Sequence, residues 1–168
     1  MKVLCHMVIT PNGYIARADG TSVSTPEDWQ AFADGVARCN NFVVGRKTFD
    51  LVGERGFREA SCDYKVVVSR QADSEIDPSF TVVPSPQAAV DFLQDKVDTL
   101  FLVGGSELNT AFARQGLIDE IALIVQPAVI GKGVNLFAPH DFELPLVLLG
   151  TEELSGGRVK LHYEVRKK

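Results

Sequence analysis

Three short runs in this chain carry residue types that hold anions. Gly45-Arg46-Lys47-Thr48 combines a glycine, two adjacent cations and a hydroxyl. Glycine lets backbone approach a ligand closely, and neighbouring cations attract phosphate. Ser69-Arg70 follows a valine-rich run, and Gly104-Gly105-Ser106-Glu107-Leu108 sets a glycine pair against a helix start. Backbone N–H groups at a helix N-terminus favour negative charge, so the glycine pair suits a pyrophosphate. One such run is ordinary turn chemistry. Its recurrence implies an extended, polyphosphate ligand, and the arginines favour one with an extra phosphate, NADPH over NADH. The GxGxxG spacing is absent and no acid follows about 20 residues on, so a Rossmann dinucleotide site is not supported.

Asp28 is the sharpest candidate for proton chemistry. It stands beside Trp29 and four residues before Phe32. A carboxyl against aromatic walls can bind a protonatable heterocycle or assist proton transfer. The same residue closes a Thr25-x-x-Asp28 pattern, in which the acid serves the helix N-terminus. Asn12, in the Pro11-Asn12-Gly13 turn, is either a turn former or a hydrogen-bonding group for a substrate at the mouth of the first strand. His6, His140 and His162 lack metal-ligand spacing, and no GxSxG occurs. No metal site is expected. Cys5 and Cys62 read as buried fillers.

The elements that position these groups alternate between strand and helix. Val3 to Ile9, Asn41 to Gly45, Tyr64 to Ser69, Phe80 to Val83, Thr99 to Val103 and Ile118 to Val125 are apolar, β-branched runs. Helices are predicted from Pro26, with Trp29, Phe32, Ala33 and Val36 as the apolar stripe, over Arg46 to Leu51, from Pro86, and through Leu108, Ala111 and Phe112. Leu144 to Leu149 and Val159 to Val165 flank Ser155-Gly156-Gly157 as an antiparallel hairpin. Strands buried on both faces and separated by helices imply βαβ units and a mostly parallel, mixed sheet. Ligands of such sheets bind beyond the carboxyl ends of the strands, where the three runs fall.

The 168 residues fit one α/β domain spanning 1–168, with 45% hydrophobic and 23% charged residues. A net charge of −5 argues against a general nucleic-acid binder. Three cysteines without a CxxC pair argue against a disulfide framework and point to the reducing cytoplasm. The opening residues lack a signal-peptide pattern, and no apolar run reaches the ~18 residues of a membrane span. The expected partner is a small molecule.

The motifs resemble those of the dihydrofolate reductase superfamily, and most closely the C-terminal reductase domain of the bifunctional riboflavin-biosynthesis deaminase-reductase. The resemblance runs from the first strand to Tyr163. Its markers are Asn12-Gly13-Tyr14-Ile15-Ala16, Val44 to Thr48, Val68-Ser69-Arg70, Leu102 to Leu108, Gly116 to Glu120 and Pro127 to Gly133. It implies a single dihydrofolate-reductase-like domain. It also implies that Gly45, Arg46, Lys47 and Thr48 touch the phosphates of NADPH. Ser69 and Arg70 would hold the adenosine end with its 2′-phosphate. Gly104, Gly105, Ser106, Glu107 and Leu108 would wrap the pyrophosphate. Asp28 matches the acid that holds the pterin in the folate enzymes, and Phe32 the residue that lines their pocket. Ile124 stands where those enzymes carry threonine, and Asn12 where the riboflavin-type reductases carry aspartate. The implied activity is hydride transfer to a pyrimidine- or pterin-like substrate. Reduction of 5-amino-6-(5-phosphoribosylamino)uracil is the first reading, and dihydrofolate reduction the second. A non-catalytic nucleotide-binding protein that kept the fold is the third. Related domains commonly form homodimers, and the apolar tail could supply an interface strand.

Overall fold

In a computed structural model, residues 1–58, 60–71 and 76–167 are described. Eight strands form one sheet in the order β5-β4-β3-β6-β1-β7-β10-β9. Six run parallel: β5 (Phe80–Val83), β4 (Tyr64–Val68), β3 (Asn41–Gly45), β6 (Thr99–Leu102), β1 (Lys2–Ile9) and β7 (Glu120–Val125). The antiparallel hairpin of β9 (Leu146–Leu154) and β10 (Arg158–Val165) then extends the sheet from β7. This is the mixed, mostly parallel architecture expected from the alternating pattern. The central strands carry no polar alternation because both faces are covered. Phe42, Val43, Val44, Leu100, Phe101 and Leu102 are fully buried.

Helix α1 (Pro26–Cys39) covers β3 and β6 on one face. Its inward line differs from the stripe read in the sequence. Asp28, Gly35 and Val36 are buried, Phe32 and Cys39 are half-buried, and Trp29 and Ala33 face outward. The spacing 28, 32, 35, 36, 39 is one continuous helical face, and the acid occupies its first position. Gly35 lets α1 sit close on the sheet: a Cβ there would lie 2.5 Å from the Phe101 ring. On the other face, α4 (Pro86–Leu93) and α5 (Ser106–Arg114) bury Ala89, Leu93, Leu108 and Phe112.

Three elements lay outside the sequence reading. Helix α2 (Arg46–Val52) was expected, but α3 (Glu54–Arg58) follows it after Gly53. A two-stranded sheet pairs β2 (Tyr14–Arg17) with β8 (Gly133–Asn135). Its strands are too short and polar to show a period. Strand β7 starts at Glu120, two residues later than expected. Asp119 is already committed to β1, where its carboxylate accepts from the Val3 N–H at 2.7 Å. Strand β9 runs on through Thr151 to Leu154, because pairing with β10 satisfies its backbone despite the polar side chains.

Candidate active site

The sheet order sets the three candidate anion-binding runs side by side. Strands β4, β3 and β6 are consecutive, so Ser69-Arg70, Gly45 to Thr48 and Gly104 to Leu108 follow one another along the carboxyl edge. The last two are joined directly. The Gly45 N–H donates to the Gly104 carbonyl at 2.7 Å. A Cβ on Gly105 would lie 2.5 Å from Thr48 Oγ1, and one on Gly104 would lie 3.0 Å from Met7 Sδ. Gly104 also has φ +87, in the left-handed region, and the Gly104–Gly105 peptide is cis. Only glycines let the two junctions approach this closely.

The side chains of this edge divide into engaged and open ones. Arg46 is paired with Asp50, Nε to Oδ1 at 2.7 Å. Lys47 and Arg70 are exposed, and neither has an ion-pair partner among the described residues. Ser69 is buried, its hydroxyl sharing a turn with Gln71: it donates to the Gln71 carbonyl at 3.1 Å and accepts from the Gln71 N–H at 3.2 Å. Leu108 is buried in the core, so it could offer a ligand only its backbone. Ser106 and Glu107 open the nine-residue α5, with Glu107 exposed in the first turn. An acid there opposes a bound anion.

Continuing along the edge, Thr10 and Asn12 follow β1, and Gln126 follows β7. Thr10, fully buried, donates to Asn12 Oδ1 at 2.8 Å, and Asn12 Nδ2 donates to the Ile130 carbonyl at 2.8 Å. Asn12 therefore staples the turn after β1 to the loop after β7. Phe32 lies among Phe42, Phe57 and Phe101 at 6.3 to 6.4 Å, with Trp29 edge-on at 5.9 Å. Trp29 on α1 and Leu51 and Val52 on α2 are exposed apolar side chains.

Asp28 is enclosed rather than presented to a ligand. Its carboxylate Oδ2 accepts from the Thr25 N–H at 2.8 Å, from the Thr25 hydroxyl at 3.0 Å, and from Gln126 Nε2. Oδ1 accepts from Arg158 Nη1 at 2.7 Å. Both charged side chains are buried, Asp28 at 0% and Arg158 at 8% exposure. The capping reading of Thr25-x-x-Asp28 is thus realised in full, and an ion pair is added to it. Gln126 and Arg158 escaped the sequence reading. Nothing in their local spacing points to Asp28, about 100 and 130 residues away.

The thiols are chemically quiet. Burial pushes Cys5 up to about 12 and Cys62 up to about 11. Two open depressions, of about 670 and 740 Å³, lie at the opposite end of the sheet around Lys2, Asp98 and Glu120. They sit at the amino ends of the parallel strands, and Lys2 and Glu120 are already paired there, so the carboxyl edge is the better candidate.

A mixed sheet with glycine-lined junctions along its carboxyl edge and an antiparallel terminal hairpin defines a dihydrofolate-reductase-like α/β fold. The chain belongs to the RibD C-terminal domain family, whose model matches residues 1–160. It is 27% identical to the uncharacterized protein YwjB of Bacillus subtilis (strain 168), over 96% of this chain and 97% of that one. Solved structures share the fold. A pyrimidine reductase-like protein from Corynebacterium diphtheriae superposes with a TM-score of 0.79 at 16% identity, over 99% of this chain and 92% of that one. The diaminohydroxyphosphoribosylaminopyrimidine deaminase/5-amino-6-(5-phosphoribosylamino)uracil reductase of Thermotoga maritima gives 0.74 at 17% identity, over 98% of this chain and 56% of that one. The expected kinship with the riboflavin-type reductase group is borne out. Among the described residues, no helix is long and apolar enough to cross a membrane.

Proposed function

We propose that the protein is an NADPH-dependent reductase that delivers hydride to a pyrimidine- or pterin-like substrate, most like the reductases that act on 5-amino-6-(5-phosphoribosylamino)uracil. The observation that carries this reading is the contiguity of the three junctions along one sheet edge. Strand order turns three separate sequence runs into one track, with Arg70 at one end and Thr10, Asn12 and Gln126 at the other. The residues present fit the cofactor: a glycine cradle that any Cβ would fill, a helix N-terminus, and two open cations.

In this reading Arg70, with Ser69, holds the 2′-phosphate end. Lys47, Thr48 and the backbone from Gly104 to Ser106 hold the diphosphate. The cofactor supplies the hydride when bound. Asn12 orients the turn at the mouth of β1, and Trp29, Phe32, Leu51 and Val52 form the apolar side of the substrate space, which restricts water there. Asp28, whose acceptor positions are taken by chain groups, acts on substrate only by way of Arg158 and the helix start. That disfavours the dihydrofolate reading, which needs a carboxylate open to the pterin.

The family resemblance also supports a homodimer, and β9 is the open edge of the sheet with Leu146, Leu148 and Leu149 exposed. The proposed site of action is the cytoplasm, a reading supported by three cysteines that form no disulfide.

Calorimetric titration with NADPH and NADH tests the reading. NADPH should bind more tightly. Arg70→Ala should weaken NADPH by ~10- to 100-fold, the worth of a charge-assisted contact of about 1.5–3 kcal/mol, and leave NADH little changed. Failure of both nucleotides to bind the wild type would sink the reductase assignment.

A further inference from the structure

The guanidinium of Arg158 sits in a cage of four hydrogen bonds. Nη1 donates to Asp28 Oδ1 at 2.7 Å and to Thr25 Oγ1 at 3.3 Å. Nε donates to the Ser155 carbonyl at 2.8 Å, and Nη2 to Ser155 Oγ at 2.9 Å. The cage is thus a carboxylate and a hydroxyl on one side, and a carbonyl and a hydroxyl on the other. The opposing groups come from α1 and from the turn before β10, elements 130 residues apart in the chain. The turn is shaped for this by Gly156 and Gly157, both with φ near +70 (72 and 73). Thr25 Oγ1 accepts from Arg158 while donating to Asp28 Oδ2, so the hydrogen-bond directions agree around the ring.

Such an arrangement reads shape as well as charge. Planar N–H donors at fixed angles satisfy it, whereas a compact ammonium satisfies it poorly. It also lies at the carboxyl edge of the sheet, where β7 ends and β10 begins, with Val159 opposite Val125. Arg158 keeps a small exposed surface, so truncating its side chain would connect the cage to solvent.

We propose that Asp28, Thr25 and Ser155 form a recognition site for a planar amidinium or guanidinium group, that Arg158 fills this site from within the chain, and that Arg158 thereby determines specificity by excluding cationic amidine-bearing heterocycles. The specificity clause rests on the reductase reading; the cage itself does not. The wild type therefore admits substrates whose heterocycle makes no claim on the Asp28 carboxylate.

The test is binding of methylguanidinium and benzamidinium to the wild type, to Asp28→Asn, to Arg158→Ala and to the double variant Asp28→Asn/Arg158→Ala, followed by calorimetry and thermal unfolding. Methylammonium chloride at equal concentration is the control. Only Arg158→Ala should bind the planar cations, and at about ten times Kd its Tm should rise by ~3–6 °C. A folded Arg158→Ala chain that ignores both cations would overturn the proposal, and so would one that responds equally to methylammonium. Wild-type binding that Asp28→Asn abolishes would overturn it too, and that arm does not depend on the Arg158 variant folding. NADPH titration of the same wild-type sample reports separately on the reductase reading, because cage binding needs no cofactor.

Discussion

Asp28 and Gly105 show how much a single side chain, or its absence, decides. Asp28 lies at the first position of the buried face of α1, so its carboxylate enters the molecule and must be satisfied there. A buried charge without partners is costly, and the pair with Arg158 and the hydrogen bonds around it offset that cost. Gly105 has an ordinary φ of −80, so alanine is allowed by the backbone. The objection is Thr48, whose hydroxyl would lie 2.5 Å from the new Cβ. Gly105→Ala should destabilise the chain by ~1–3 kcal/mol, the usual range for overpacking. Adding Thr48→Ala should recover much of that loss. Urea denaturation of the single and double variants measures both; a double variant no more stable than Gly105→Ala would show that Thr48 is not the obstacle.

Two elements carry predictions of their own. In α1, alanine at an exposed glycine would stabilise the helix by up to about 1 kcal/mol. At Gly35 the sign should reverse, because a Cβ would meet the Phe101 ring of β6 at 2.5 Å. Gly35→Ala should cost ~1–3 kcal/mol by chemical denaturation. A stabilised variant would mean that α1 can ride further from the sheet. In β1, His6 packs on Phe101 with ring centres 5.2 Å apart. Burial, the largest cause, together with the charges of Lys160 and Arg38 lowers its pKa from 6.5 to about 4, with Asp28 opposing them. The unfolded chain therefore takes up a proton at higher pH than the folded one. The stabilising effect is whole above about 6.5, shrinks as the pH falls, and is gone by about 4. Tm measured across this window should fall more steeply for the wild type than for His6→Gln. Parallel curves would place the acid sensitivity elsewhere.

At the scale of the whole molecule, the sheet is closed on neither side, and its two outer strands differ. Strand β5 is four residues long, as short edges often are. Strand β9 is nine residues long with three exposed leucines in its first half. A long apolar edge invites strand pairing, which agrees with the homodimer proposed above. Leu148→Lys should convert a dimer to monomer in sedimentation velocity while leaving the circular dichroism spectrum unchanged. A wild type that sediments as a monomer at tens of micromolar would remove β9 as an interface.

Sequence periodicity and local motifs determined the alternation of strands and helices, the terminal hairpin and the three candidate anion-binding junctions, because each depends on residues within a few positions of one another. The Thr25-x-x-Asp28 cap was legible for the same reason. The direction of Asp28 was not, since Trp29 and Ala33 supplied an equally regular stripe and only packing on β3 and β6 chose between the faces. Strand order decided the rest. It set β4, β3 and β6 side by side, which made one track from three turns. It also carried β10 next to β7, which delivered Gln126 and Arg158 to a carboxylate that no local spacing connects to them. Short-range propensity is written in neighbouring residues, whereas a buried charge finds its partner only when the chain closes on itself.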